Sequence, residues 1–108
     1  MKYKVNFVST VEEDLFEIYR FVYFNDSEEK TEKQFSKLYE KCLTLQQHPK
    51  RGHIPPELEL LGIADFLELI SKPYRIIFQI VKKEVFAHCV LDSRRDMQRL
   101  LQERLLRE

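Results

Sequence analysis

The sequence predicts a small α+β domain in which a helical hairpin packs on one face of a small, largely antiparallel sheet. Two observations carry this prediction. Apolar residues recur at helical spacing over two consecutive stretches in the first half of the chain, then at strand spacing over three stretches in the second half. The links between those three strands are too short for crossovers, so the strands form an antiparallel meander. One short strand precedes the helices and one amphipathic helix follows the sheet. The order is therefore strand, two-helix hairpin, three-stranded meander, helix, with the helices on one face. The 108 residues include only two glycines and four prolines, which leaves little for linkers. The chain is a single domain, 1–108, with one modest core.

Each element has its own signal. Val5 and Phe7 mark the first strand. Ser9-x-x-Glu12 and Thr10-x-x-Glu13 both fit a capping box that opens a helix. Val11, Leu15, Ile18 and Val22 form one stripe on that helix, widened by Phe16, Tyr19 and Tyr23. Asn25-Asp26-Ser27 ends it and caps a second helix, whose stripe is Phe35, Leu38, Cys42 and Leu45. Pro49 lacks an N–H and disfavours helix at His48, so the second helix stops there. A loop is predicted from Lys50 to about Ala64. Strands follow over Asp65–Ser71, Tyr74–Val81 and Val85–Asp92, with turns at Lys72-Pro73 and Lys82-Lys83-Glu84. A last helix spans Asp96–Arg107, with Met97, Leu100, Leu101 and Leu105 on its apolar side.

Composition narrows the function classes. The chain carries 18 basic and 18 acidic residues and has a pI near 6.8, so no net field draws nucleic acid to it. Only a local patch could do so. The chain enters a strand pattern at once and holds no apolar run of membrane-spanning length, which predicts a cytoplasmic protein without signal peptide or membrane partner. Cys42 and Cys89 fall on inward-facing positions, and neither has a thiol or imidazole at ligand spacing. Free buried thiols, no metal and no cofactor are the expectation. Without a glycine-rich phosphate loop, an HExxH run or a nucleophile elbow, nucleotide hydrolysis, zinc proteolysis and serine esterase chemistry have no support.

Strand alternation sorts the sheet's side chains. In the middle strand Tyr74, Ile76, Phe78 and Ile80 oppose Arg75, Ile77, Gln79 and Val81. In the last strand Val85, Ala87, Cys89 and Leu91 oppose Phe86, His88, Val90 and Asp92. The all-apolar sets belong against the helices. Arg75, Gln79, His88 and Asp92 are thereby predicted to share a helix-free face with Glu68, unless a bulge intervenes. Such a face, with Arg94 and Arg95 at its end, suits recognition. It equally suits the ordinary solvated side of a half-buried sheet, where an Arg–Glu cross-strand pair is common. Arg51, in Arg51-Gly52-His53, fits a phosphate contact and fits equally a loop that ends a helix.

Four segments, Pro49-Lys50-Arg51-Gly52, Pro56-Glu57-Leu58, Lys72-Pro73-Tyr74-Arg75-Ile76-Ile77-Phe78 and Val90-Leu91-Asp92-Ser93-Arg94-Arg95-Asp96, carry a family resemblance. Together they resemble the toxins of the RelE/ParE superfamily, from bacterial type II toxin–antitoxin modules, and the resemblance spans nearly the whole chain. It implies a toxin that arrests growth by inhibiting DNA gyrase or translation. It also implies a cognate antitoxin, a small DNA-binding protein, with a homodimer or a toxin–antitoxin hetero-oligomer as the assembly. Arg75 matches the recurrent arginine of the family's middle strand, and Arg94 the one after the last strand. Glu57 resembles the loop carboxylate that some messenger-RNA-cleaving members use as a general base.

Those roles have a physical basis. Attack by a 2′-hydroxyl needs a proton acceptor, here Glu57 or His88, and cations around the crowded phosphate, here Arg75 and Arg94. Arg51, Arg75, Gln79, Arg94 and Arg95 are the residues the resemblance and the face assignment nominate for target or RNA contact. Met97, Leu100, Leu101 and Leu105 are nominated for the antitoxin. Two departures favour gyrase binding over RNA cleavage. There is no aromatic residue after Phe86, where nuclease members carry a stacking or assisting tyrosine, and the chain is neutral where ribosome-dependent nucleases are basic. A ribosome-dependent messenger-RNA endoribonuclease is the alternative reading. A degenerate, non-toxic binding or regulatory module is the second.

Overall fold

The computed structural model describes residues 2–106, and its elements follow the predicted order. They are β1 (Lys4–Phe7), α1 (Ser9–Asn25), α2 (Glu28–Leu43), α3 (Pro56–Glu59), β2 (Leu67–Ser71), β3 (Tyr74–Val81), β4 (Glu84–Asp92) and α4 (Met97–Leu105). Arg107, the predicted end of the last helix, lies outside the described residues. The sheet order is β1-β4-β3-β2; β1 runs parallel to β4, and β2, β3 and β4 form the predicted antiparallel meander.

The helix boundaries show which local signals prevail. Ser27 caps α2 as predicted, its Oγ accepting from the Lys30 N–H at 3.1 Å. Neither capping box of α1 is used. Val8 is the N-cap and, having no polar side-chain atom, makes no cap bond; its own N–H donates to the Ala87 C=O at 3.2 Å as β1 leaves the sheet. α2 stops at Leu43 and tightens into a 3₁₀ turn over Thr44–Gln46 that buries Leu45. The predicted loop is part ordered: Pro49–Arg51 forms a second 3₁₀ turn, and Pro56 starts α3 at a position where its missing N–H costs nothing.

The sheet is covered on both faces. Val11, Leu38, Cys42 and Leu45 of the helical hairpin pack with Tyr74, Ile76, Phe78, Val85, Ala87 and Val90. On the other face Leu58 of α3 and Met97, Leu100 and Leu101 of α4 pack with Ile77, Cys89 and Leu91. The hairpin lies on one face as predicted, while α3 and α4 occupy the face predicted to be free of helices. A β-bulge causes the difference. β3 and β4 pair as Ile77↔Cys89 and then Phe78↔Ala87, so His88 is an extra residue and the alternation slips by one. Cys89 and Leu91 leave the hairpin side, and Val90 replaces them there. Asp92 pairs with Tyr74 and so leaves the face of Arg75.

The bulge also sets the sheet's edge. β1 pairs only with Glu84–Ala87, so among the described residues β4 has no strand beside it on that side from His88 onward. Two side chains close the gap. Asp14 of α1 accepts from the Val90 N–H at 3.0 Å, and Arg104 of α4 donates to the His88 C=O at 3.2 Å. The two groups also pair with each other, Arg104 Nη1 and Nη2 donating to the two Asp14 oxygens at 2.9 Å each. Backbone groups removed from water need partners, and here an ion pair supplies them in place of a strand. It ties the hairpin to α4 across the sheet edge.

α4 is therefore part of the core. Leu101 is completely buried between α3 and the sheet. Leu101→Ala is expected to lower the stability of the chain by about 3 kcal/mol, the middle of the range for such a truncation. The urea midpoint, read by circular dichroism, checks this; an unchanged midpoint would mean that α4 is a detachable tail.

Candidate functional site

Arg75 stands at the centre of a buried ion cluster. Strand pairing places it opposite Ile70 and diagonally from Glu68, on the α3 and α4 side of the sheet. Its Nε donates to Glu68 Oε1 at 2.6 Å, and its Nη1 and Nη2 donate to the two oxygens of Glu57 at 2.9 and 2.6 Å. The guanidinium side chain is 9% exposed, Glu68 2% and Glu57 21%. The other Glu68 oxygen meets His53 Nε2 at 2.7 Å.

The backbone is built to bring these groups together. His53 and Glu68 exchange two backbone hydrogen bonds, at 3.1 and 2.7 Å, which sew the loop to the outer edge of β2. Gly52 makes that approach possible. A Cβ there would lie 2.7 Å from Phe78 Cζ and 3.0 Å from the Glu68 C=O, inside van der Waals contact. Gln98 of α4 completes the set by donating to the Glu57 C=O at 3.3 Å.

The cluster's electrostatics follow from its contacts. The Arg75 guanidinium holds the Glu57 carboxyl below the ordinary carboxylate range. Glu57, followed by Glu68, raises the already high pKa of Arg75. Two carboxyl groups share the one guanidinium, and His53 meets the outer oxygen of the second. That arrangement is a poor phosphate clamp, since the fork that would grip phosphate oxygens already grips carboxylates. Glu57 is also a poor general base while it carries Arg75, because a lowered pKa weakens proton abstraction near neutrality.

The other predicted residues lie apart from this cluster. Arg94 folds back on Asp92, with its Nε and Nη2 at 2.9 and 2.5 Å from the two carboxylate oxygens. This contact lowers the Asp92 pKa and raises that of Arg94, whose side chain is 69% exposed. Arg51 and Arg95 are exposed. His88 and Gln79 share a face, with His88 Nε2 3.3 Å from Gln79 Oε1 and the ring edge-on to Phe66 at 5.4 Å. Burial lowers the His88 pKa, which favours the neutral ring. Gln79 is four residues from Arg75 on one strand, a separation of about 13 Å. The candidate base His88 and the candidate phosphate ligand Arg75 thus do not meet.

Met97, Leu100 and Leu101 face the sheet rather than solvent, and Leu105 packs at the margin of the same core. Asp14 and Arg104 are the participants that sequence reasoning missed, and for His53 it identified no partner. His53 carries no local signal, because its place depends on how the loop after α2 meets β2. Asp14 and Arg104 stand 90 positions apart and meet at the stretch of β4 that lies beyond the end of β1.

The family model described as the ParE toxin of the type II toxin–antitoxin system, parDE, matches residues 5–97. The chain belongs to the ParE toxin family. No curated protein matches it by sequence. Its fold is similar to a chain of the chromosomal ParDE system from P. aeruginosa, with 19% identity, TM-score 0.70, and coverage of 84% of this chain and 96% of that one. It is also similar to a chain of the RelBE2 toxin–antitoxin complex from Mycobacterium tuberculosis, with 18% identity, TM-score 0.60, and coverage of 85% and 99%.

In this ParE-family chain Arg75 is a buried tie between segments, where the sequence predicted a residue on a helix-free face. Arg75→Ala leaves Glu57 and Glu68 facing each other in a largely buried site and is expected to cost about 3 kcal/mol or more, measured by chemical denaturation. A loss below 1 kcal/mol, as on an open sheet face, would contradict the cluster.

Acid should release the same tie. Glu57 has a folded pKa below its unfolded value, so the unfolded state binds more protons in the window between the two. Its contribution is complete above the ordinary carboxylate range and is lost as pH falls through the depressed value. Glu57→Gln should therefore flatten the fall of stability from pH 5 to pH 3. Parallel stability curves for the two chains would be the contrary result.

Proposed function

We propose that this toxin arrests growth by binding DNA gyrase, without cleaving RNA. The observation that carries the reading is the Arg75–Glu57–Glu68 cluster. In it, the residue nominated as general base and the residue nominated as phosphate ligand neutralise each other below the surface. An RNA phosphate would have to displace a bidentate carboxylate and then face the second one. The balanced charge of the chain supports the same reading, since ribosomal RNA attracts basic proteins. Gyrase inhibition by binding needs no catalytic set. On this reading Arg51, Arg94 and Arg95 are the target contacts, because they are the exposed members of the predicted set. An antitoxin partner is supported by the two toxin–antitoxin systems whose chains share the fold.

Inducing the chain without an antitoxin, in cells carrying a reporter plasmid, tests the mechanism. Growth arrest with loss of plasmid supercoiling and intact messenger RNA is the expected outcome. Charge reversal at Arg51, Arg94 and Arg95 together should relieve the arrest by at least about tenfold in viable count. Discrete messenger-RNA cuts with normal supercoiling would favour the nuclease. Normal growth at full soluble expression would favour the non-toxic module.

A further inference from the structure

α1 shows solvent an aromatic surface that its own fold leaves uncovered. Val11, Leu15 and Ile18 turn inward to the first core. At 3.6 residues per turn, the side away from that stripe carries Glu12, Glu13, Phe16, Arg20, Tyr23 and Phe24. Phe16 is 62% exposed, Phe24 74% and Tyr23 44%. α2 meets α1 laterally, where Tyr19 packs edge-on to Phe35, and α4 meets it at Asp14, so neither helix covers this side. Contiguous exposed apolar surface of this kind marks an interaction site. The Arg20 guanidinium lies over the Phe16 ring, 5.8 Å from its centroid. Among the described residues, Arg20, Glu12 and Glu13 enter no salt bridge.

The order of charge on this face specifies the occupant. The carboxylates of Glu12 and Glu13 precede Phe16, and the guanidinium of Arg20 follows it by one turn. A matching surface must present a cation, an apolar centre and an anion in the reverse direction. A second copy of α1, running antiparallel and crossing at Phe16, does so: Arg20 of each copy comes level with Glu12 and Glu13 of the other. A parallel copy would set like charges side by side. A twofold contact needs one self-complementary patch, and this face is one. We infer that the chain forms a twofold dimer through the outer face of α1, with the two Phe16 rings meeting at the axis and Arg20 held between its own Phe16 and the carboxylates of the other copy. The sequence left a homodimer as one possible assembly without a surface; the charge order supplies the surface and its polarity. The inference depends neither on the gyrase contacts proposed at Arg51, Arg94 and Arg95 nor on an antitoxin.

One helix packed on its copy lies at the small end of the range of interface sizes, so the dimer depends on concentration, and salt screens its rim charges. Sedimentation of the full chain across the micromolar range tests it. The native chain should pass from monomer to dimer over that range. Arg20→Glu should weaken the dimer at least tenfold, and so should Glu12→Arg combined with Glu13→Arg, because each change sets like charges level across the axis. Mixing the two altered chains restores opposite charges at both ends, so a mixed dimer should form although neither chain pairs with itself. Phe16→Ser should also weaken the dimer at least tenfold. Phe21→Ser should leave it unchanged, although the ring is similarly exposed at 60%, because Phe21 lies about 140° round the helix from Phe16. All these side chains are exposed, and circular dichroism checks that each variant keeps its helices.

A native chain that stays monomeric throughout the range overturns the inference, whatever the variants do. So does a dimer that tolerates Arg20→Glu, one weakened equally by Phe16→Ser and Phe21→Ser, or a mixture of the two charge variants in which both remain monomeric.

Discussion

The guanidinium of Arg75 joins segments that are far apart in the chain. Its three bonds fix β3 to Glu68 of β2 and to Glu57 of α3. Through Glu68 it reaches the loop at His53, and through the Glu57 backbone it reaches Gln98 of α4. A buried ion pair of this kind adds little net stability compared with apolar residues of similar shape, because desolvation offsets most of the attraction. Its value is positional. α3 is only four residues long and could not hold a position by helix formation alone. Held by Arg75, it keeps Leu58 buried beneath Leu101, and the second core closes over the sheet.

Much of this architecture was legible in the sequence, and the exceptions trace to one backbone event. β3 begins and ends where periodicity placed it, and Ser27 caps α2 because no strand competes for the polar turn before it. The bulge at His88 left no mark. Cys89, Val90 and Leu91 are all apolar, so either register of β4 buries acceptable side chains. Only Asp92 would have signalled the slip, and an aspartate at a strand end is tolerated on either face. From that ambiguity came the prediction of a helix-free face, and with it an exposed Arg75. The apolar stripe of α4 was legible as a stripe. Its docking surface was not, because that surface exists only after Cys89 and Leu91 have changed sides.

The same register slip joins the functional reading to the fold. Without it, β4 would bring Asp92 beside Arg75 and leave the arginine free to meet a ligand on an open sheet. With it, α4 has an apolar face to cover, and covering that face draws Gln98 toward Glu57 and Arg104 toward the β4 edge. The arginines nearest the sheet's centre are then spent on carboxylates, and the nominated cations that stay exposed are those on the loops, Arg51, Arg95 and, paired with Asp92, Arg94. A surface of that kind can discriminate a partner by shape and charge, but it has no desolvated cation with which to stabilise a phosphorane. α4 also closes the second core with its inner side and reaches the β4 edge through Arg104, so a single helix holds contacts with both the Arg75 cluster and the Asp14 ion pair.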